Sequence, residues 1–384
     1  VTRSRERDLD LVLFGATGFT GTLTAQYLAA HAPAGTRWAV AGRDPARLRA
    51  LADRLGGDVA VLTADAGHPG SLRRLAESAH VVITTVGPYV RYGEPLVAAC
   101  AAAGTDYVDL TGEPEFIDLM YVRHHETAVR TGARIVHACG FDSIPADLGA
   151  QFTVEQVPPG QPIALRGYVT ASGSLSGGTL ESAITGMSRF RQTSAAHAAR
   201  RDAEPRTGGA RRANGRPGYD RTAHAWTLPL PTIDAQIVVR SARALPEYGP
   251  DFSYGHFLAL RNPFALAGLT AALGTVFTLA QFPPTRRLLL KLRPAGSGPT
   301  AQQREKAWFR VRFIADSGGQ RVVTEVSGGD PGYGETSTML AESALCLRHD
   351  DLPHTAGQLT TAQAMGPALR ARLIAAGLTF RTLS

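Results

Sequence analysis

Short apolar runs alternate with helix-patterned stretches through the first 140 residues. Leu11-Val12-Leu13-Phe14, Trp38-Ala39-Val40-Ala41, Val59-Ala60-Val61-Leu62, Val81-Val82-Ile83, Tyr107-Val108-Asp109-Leu110 and Arg134-Ile135-Val136-His137 predict six strands. Helices are predicted over 18–31, around Leu48, Leu51 and Leu55, and over 71–78, 93–103 and 115–130. Apolar strands separated by helices predict a parallel sheet covered on both faces, an α/β doubly wound Rossmann domain over residues 1–146. Beyond it the pattern changes. Residues 163–171 alternate like a strand with one wet face, and 179–190 read as a helix. Residues 192–222, rich in Arg, Gly and Ala, read as a mobile loop. Residues 232–240, 307–315 and 320–327 read as strands of a mixed or antiparallel sheet, and 335–347 and 366–376 as helices. A second, α+β domain over 147–334 and C-terminal helices over 335–384 follow from this.

The run 262–285 holds no charge, and Arg286, Arg287, Lys291 and Arg293 follow it. Its length satisfies the spanning requirement of about 20 residues. Two Gly, four Thr and a Pro-Pro near its end favour a buried, dimer-facing or substrate-lid helix over membrane or lipid-surface contact.

A length of 384 residues with 44% hydrophobic and 19% charged positions fits two packed domains and excludes a disordered chain. The net charge of +7 suggests an anionic partner until it is mapped. Residues 189–221 hold nine Arg against three acids, so +6 is local and the remainder carries +1. A nucleic-acid reading has no support in that distribution. Three scattered cysteines form no C-x-x-C, which fits a reducing compartment. Val1 to Asp10 is charged and lacks an apolar h-region, so no secretory signal and a cytoplasmic location are expected. Eleven histidines give no ligand pattern with a third donor, and no metal is expected.

Gly15-Ala16-Thr17-Gly18-Phe19-Thr20-Gly21 follows the first strand and opens a helix. Glycines there permit a tight turn, close approach of a pyrophosphate and close helix–strand packing, with the phosphates at a helix N-terminus. The strand–turn–helix context makes this a dinucleotide site, although the spacing G-x-x-G-x-x-G is one residue longer than the usual fingerprint. The second strand ends in Arg43 where an NAD-selective site carries an acid. Arg43, assisted by Arg47, points to a 2′-phosphate and so to NADP(H); a solvated arginine beside Asp44 is the alternative. Asp65, after the third strand, touches the adenine or caps the helix before Pro69. Val86-Gly87-Pro88-Tyr89 and Cys139-Gly140-Phe141-Asp142-Ser143 follow the fourth and sixth strands, on the ligand side of such a sheet. They are the remaining candidate cofactor contacts.

These motifs resemble the saccharopine dehydrogenase-like NADP-binding oxidoreductase family. So do Tyr92-Gly93-Glu94, Tyr107 to Glu113, Ser176-Gly177-Gly178-Thr179 and Gly332 to Leu345. The branch most resembled is that of the trans-acting enoyl reductases of polyketide synthesis. The resemblance implies a second domain that roofs the cofactor and a C-terminal segment that returns to the first domain. It also implies an acyl carrier protein or polyketide synthase as partner and an acyl thioester as substrate. Such a reduction needs a hydride donor, donors to an enolate oxygen and a proton for the α-carbon. Tyr89, Tyr92, Ser143 and Thr179 are candidate donors, with Asp142 to orient them or relay a proton and Glu113 behind. Tyr89 and Tyr92 also read as packing residues, and Asp142 as a cap for the helix near Pro145. The Arg-rich segment either guides an acidic carrier protein or is a solvated loop. Imine reduction, as in the saccharopine enzymes themselves, and a non-catalytic NADP-binding protein are the alternative functions. A homodimer is compatible with all of these.

Overall fold

The computed structural model describes residues 7–172, 184–205, 209–291 and 299–383. The first part alternates strand and helix as the apolar runs dictate: β1 (Leu9–Phe14), α1 (Phe19–His31), β2 (Trp38–Gly42), α2 (Pro45–Leu55), β3 (Ala60–Thr63), α3 (Pro69–Ser78), β4 (Ala79–Thr84), α4 (Tyr89–Tyr92), α5 (Glu94–Ala103), β5 (Asp106–Asp109), α6 (Pro114–Thr131), β6 (Arg134–Val136) and α7 (Ile144–Val154). The strands pair in parallel in the order β6-β5-β4-β1-β2-β3. Leu11, Val12 and Leu13 of the central β1 are fully buried, as strands covered on both faces require. Asp44 caps α2 by accepting from the N–H groups of Ala46 (3.0 Å) and Arg47 (3.1 Å), with Pro45 in the first turn.

The second part comprises β7 (Ile163–Ser172), α8 (Phe190–Ala203), β8 (Arg211–Arg212), β9 (Gly218–Asp220), β10 (Ala225–Pro229), α9 (Asp234–Ala244), β11 (Phe252–Leu260), α10 (Pro263–Gln281), α11 (Pro283–Lys291), α12 (Ala301–Glu305), β12 (Trp308–Ser317) and β13 (Gln320–Gly328). Then come α13 (Gly334–His349), β14 (Gly357–Leu359), α14 (Thr361–Ala364), α15 (Gly366–Ala375) and β15 (Thr379–Thr382). The second sheet is mixed, in the order β15-β13-β12-β7-β11-β10-β9, with β8 beside β11. In β12 the inward residues Phe309, Val311 and Phe313 alternate with Trp308, Arg310 and Arg312, so one face is wet. The end of the chain serves both sheets. β14 adds a seventh parallel strand beside β6, α13 packs on α1 and β4, and β15 pairs β13. One hydrophobic core continues from Leu11, Val40 and Val136, through Leu148 of α7 and Val238 of α9, to Phe313 and Val326.

Three sequence expectations are corrected. Residues 232–240 form a helix, α9, not a strand. Its residues from Asp234 to Ala242 are buried, and the β-branched run Ile237-Val238-Val239 at its centre favours a strand by local preference, which the tertiary packing overrides. Residues 192–222 are not a loop throughout, since α8, β8 and β9 lie there. Arg189, just before that segment, and Arg200 within it are held by ion pairs rather than solvated. Arg189 grips Glu115 (2.8 and 2.6 Å), and Arg200 bonds Glu204 (2.9 Å) and lies over the Tyr121 ring at 4.0 Å. The uncharged run is not a core helix. α10 packs on β10 and β11 through a stripe including Leu266 and Ala280, but only 11% of its most apolar window is buried and Phe264 is 85% exposed. The helix expected over 179–190 falls partly outside the described residues, and 184–188 are helical.

Candidate active site

The loops that leave β1, β2, β4, β5 and β6 gather at the carboxyl edge of the parallel sheet. Gly15 turns there at φ +89°, a conformation open to glycine. A Cβ on Gly15 would meet Thr85 Oγ1 and Val86 Cγ2, each at 2.8 Å, and one on Gly21 would stand 2.2 Å from the Gly15 carbonyl oxygen. The turn is therefore closed against α1 by contact that no side chain fits. Gly18 is the N-cap of α1 and offers no side-chain cap, which leaves the first-turn N–H groups for an anion. Around this cradle the Thr17 carbonyl accepts from Arg47 Nη2 (3.3 Å). Phe19 meets Tyr333 edge-on at 4.6 Å, and the Thr20 carbonyl lies 3.5 Å from Ser337 Oγ. The N-terminal turn of α13 thus sits on the glycine loop.

Arg43 is exposed at the end of β2. The carboxylate of Asp44 is occupied by its own helix, so no ion pair to Arg43 occurs among the described residues. These features fit a dinucleotide with a 2′-phosphate. Asp65 does not cap α3. Its Oδ1 accepts from Gly67 N (2.8 Å), and the N-cap of α3 is His68.

After β4, Glu113 accepts from the N–H groups of Tyr89 (3.1 Å) and Val90 (2.8 Å) and fixes the start of α4 behind the cis Gly87–Pro88 bond. Tyr89 is buried. Its hydroxyl donates to the Thr84 carbonyl (3.1 Å) and accepts from Leu110 N (3.2 Å), and burial raises its pKa well above the usual phenol value. It acts as a strut between two loops, not as a free donor. Tyr92 is 47% exposed on the same short helix. After β6 the chain passes through Ala138 at φ +60°, a strained region for a residue with a Cβ. Asp109, fully buried, holds it there by accepting from Ala138 N (2.9 Å), Thr111 N (3.0 Å), Tyr107 Oη (2.9 Å) and His137 Nδ1 (2.7 Å). Ser143 Oγ donates to the Ala138 carbonyl (2.7 Å), so this hydroxyl too is engaged. Cys139 is buried with Sγ toward the Val136 carbonyl (3.5 Å). Gly140 packs on Leu110 and Thr336, and Phe141 N donates to Thr336 Oγ1 (3.2 Å).

Asp142 differs from these. The N-cap of α7 is Ser143, and no side chain caps that helix, so Asp142 does not serve as the cap. It is half-buried at the seam between the domains, its Oδ2 3.0 Å from where a Cβ of Gly112 would stand. Burial, aided by the negative charge of Asp234, pushes its pKa up to about 7. Asp234, the first residue of α9, is likewise pushed up to about 7 by burial. Behind it His256 Nε2 lies 3.7 Å from Asp234 Oδ1, and His256 Nδ1 lies 2.8 Å from Tyr254 Oη. Burial pushes His256 down to about 3, so its ring is neutral. The seam therefore holds two carboxyls whose protons are exchangeable near neutrality, with a neutral imidazole and a phenol in line. Of the four expected catalytic residues, Asp142 is in this cluster, Tyr89 and Ser143 are bound to carbonyls, and Thr179 lies outside the described residues. Asp234 and His256 were invisible to sequence reading. The one usable signal was the acid placed to open a helix in the segment 232–240.

Residues 11–136 match the family described as the saccharopine dehydrogenase NADP binding domain. A trans-acting enoyl reductase of Mycobacterium ulcerans is 38% identical over 411 residues, covering 98% of each chain. One of Mycobacterium tuberculosis is 39% identical over 422 residues, again covering 98% of each. The apo saccharopine dehydrogenase (L-Glu forming) of Saccharomyces cerevisiae has a similar fold. Its TM-score is 0.56 at 13% identity, over 98% of this chain and 100% of that one.

Proposed function

The chain belongs to the saccharopine dehydrogenase-like NADP-binding oxidoreductases, alongside the trans-acting enoyl reductases, and from that membership we propose its substrate and its proton donor. It is an NADP(H)-dependent oxidoreductase. The substrate is an enoyl thioester on the carrier protein of a polyketide or lipid synthase, and the product is the saturated acyl thioester. The full-length correspondence with enzymes named for that role carries this reading, because it spans the second domain as well as the cofactor domain.

NADPH, when bound, supplies the hydride for the β-carbon. The chain's own work is to hold the cofactor and manage the proton. Gly15, Gly18 and Gly21 shape the phosphate cradle, and Arg43 reads the 2′-phosphate. Asp142, which burial keeps partly protonated at neutral pH, gives its proton to the α-carbon as the C=C bond saturates. Asp234, whose charge acts on Asp142, is the neighbouring carboxyl that holds a proton near neutrality and raises the proton affinity of Asp142, which is reprotonated from solvent after turnover. Glu113, Asp109 and Ser143 fix the two loops that carry the site. The test follows NADPH oxidation at 340 nm with a short enoyl thioester, carrier-bound and free, beside an NADH control. Turnover that prefers NADPH and the carrier-bound thioester is expected. Oxidation only with an amine and a keto acid would transfer the protein to imine reduction.

A further inference from the structure

α9 carries a second constellation, farther along the helix than Asp234, that the reduction does not use. Arg200 and Arg201 of α8, Arg212 of β8, and Arg240 and Arg243 of α9 line one cavity, with Glu204 as the acid in its wall. Asp118 of α6 is the carboxylate they share beneath. Arg240 bonds it, and Arg200 Nη1 stands 3.7 Å away. Glu204 takes Arg200 (2.9 Å) and faces Arg243 at 3.9 Å, and Asp202 lies 3.9 Å from Arg201. Five guanidinium groups against three carboxylates leave a surplus of cations. Arg200 and Arg240, 4% and 7% exposed, are held by Asp118 and Glu204 at the floor of the cavity, and the surplus is carried by Arg201, Arg212 and Arg243, which are exposed at its rim. Nε of Arg200 is buried and reaches no acceptor among the described residues. Burial, with the neighbouring charge of Arg200, pushes Arg240 down to about 9 even though it is bonded to Asp118.

Planar fork donors converging from three elements suit a tetrahedral oxyanion better than a single carboxylate. Asp234 and the arginines share one helix. At 1.5 Å per residue Arg240 lies about 9 Å and Arg243 about 14 Å from Asp234 along its axis. We propose that this cavity binds the phosphate of the arm on which the acyl thioester is carried. The inference rests on the enoyl thioester reading above, and it identifies the chemistry by which a carrier-bound substrate is told from a free one. The phosphodiester is gripped by the arginines while the thioester lies at the Asp142 end of the same helix.

The experiment compares enoyl thioesters of pantetheine and of phosphopantetheine with the NADPH-saturated protein. The phosphorylated substrate is expected to show a KM about tenfold lower or better. Inorganic phosphate raises that KM and leaves the other. Arg243→Ala, at an exposed position on the cavity rim, brings the ratio of the two KM values toward one, and Arg212→Gln does so in part. Calorimetric titration of phosphopantetheine, without an acyl group, gives a reading independent of turnover. If neither thioester is reduced but phosphopantetheine binds in an Arg243-dependent way, the enoyl reductase reading fails and the anion site stands. Equal KM values with no Arg243-dependent binding overturn the site. Binding of inorganic phosphate without any preference for phosphopantetheine overturns the assignment to the arm.

Discussion

Replacing Asp142 by Asn removes an exchangeable proton and leaves the shape nearly unchanged. The carboxyl is pushed from 3.8 up to about 7 in the folded chain. If its protonated form supplies the α-carbon, kcat/KM of the native enzyme is flat below about pH 6.5 and falls about tenfold per unit well above pH 7. The Asn variant keeps a hydrogen-bond donor but cannot release a proton at this site, so kcat falls by about 10²-fold or more. The same shift has a stability signature with a definite sign. A carboxyl raised on folding stabilises the native state while protonated, and that contribution is lost as pH rises through the folded value near 7. A shift of about 3 units corresponds to about 4 kcal/mol at most, and partial exposure of Asp142 reduces it to about 1–2 kcal/mol. The variant carries no such loss. Its Tm relative to the native chain therefore rises by about 2 °C or more between pH 5 and pH 8. Stopped-flow and steady-state pH profiles with scanning calorimetry at the two pH values test both arms. A profile level to pH 9, together with a Tm difference that does not change with pH, would refute the assignment.

Three further outcomes follow from named contacts. Arg43→Gln weakens NADPH binding by about tenfold at low salt and leaves NADH binding unchanged, read by cofactor fluorescence titration; an equal loss for both cofactors contradicts the 2′-phosphate role. Gly21→Ala places a Cβ 2.2 Å from the Gly15 oxygen, so the loop must open. Loss of measurable NADPH binding and a stability cost of about 2 kcal/mol or more are expected from titration and denaturant unfolding. Asp118→Ala strands Arg240, Arg200 and His197 around a vacated carboxylate and costs about 3–5 kcal/mol in urea unfolding.

The parallel sheet was legible because its strands are buried on both faces and read as apolar runs bounded by turns. β14, three residues of Gly-Gln-Leu, has no such signal. It is placed by the return of the chain after α13 and by pairing with β6. α8 was hidden for a different reason. Ala196 and Arg200 are its buried positions, so it is held by ion pairs and a stacked guanidinium rather than an apolar stripe. The glycine loop and Arg43 could be read locally, since adjacent residues shape a phosphate site. Tyr89 and Ser143 could be located but not judged, because only tertiary structure shows their hydroxyls engaged by carbonyls. Asp142 became distinctive through Asp234, which comes from a helix whose β-branched centre reads locally as a strand.

The most direct test of the account uses NADPH deuterated at the transferable position, an enoyl thioester on its carrier protein, and mass spectrometry of the product. A saturated acyl chain carrying one deuterium at the β-carbon and, in ordinary water, none at the α-carbon is expected. An unlabelled, unreduced thioester recovered from an enzyme that oxidises NADPH with an amine and a keto acid would contradict it.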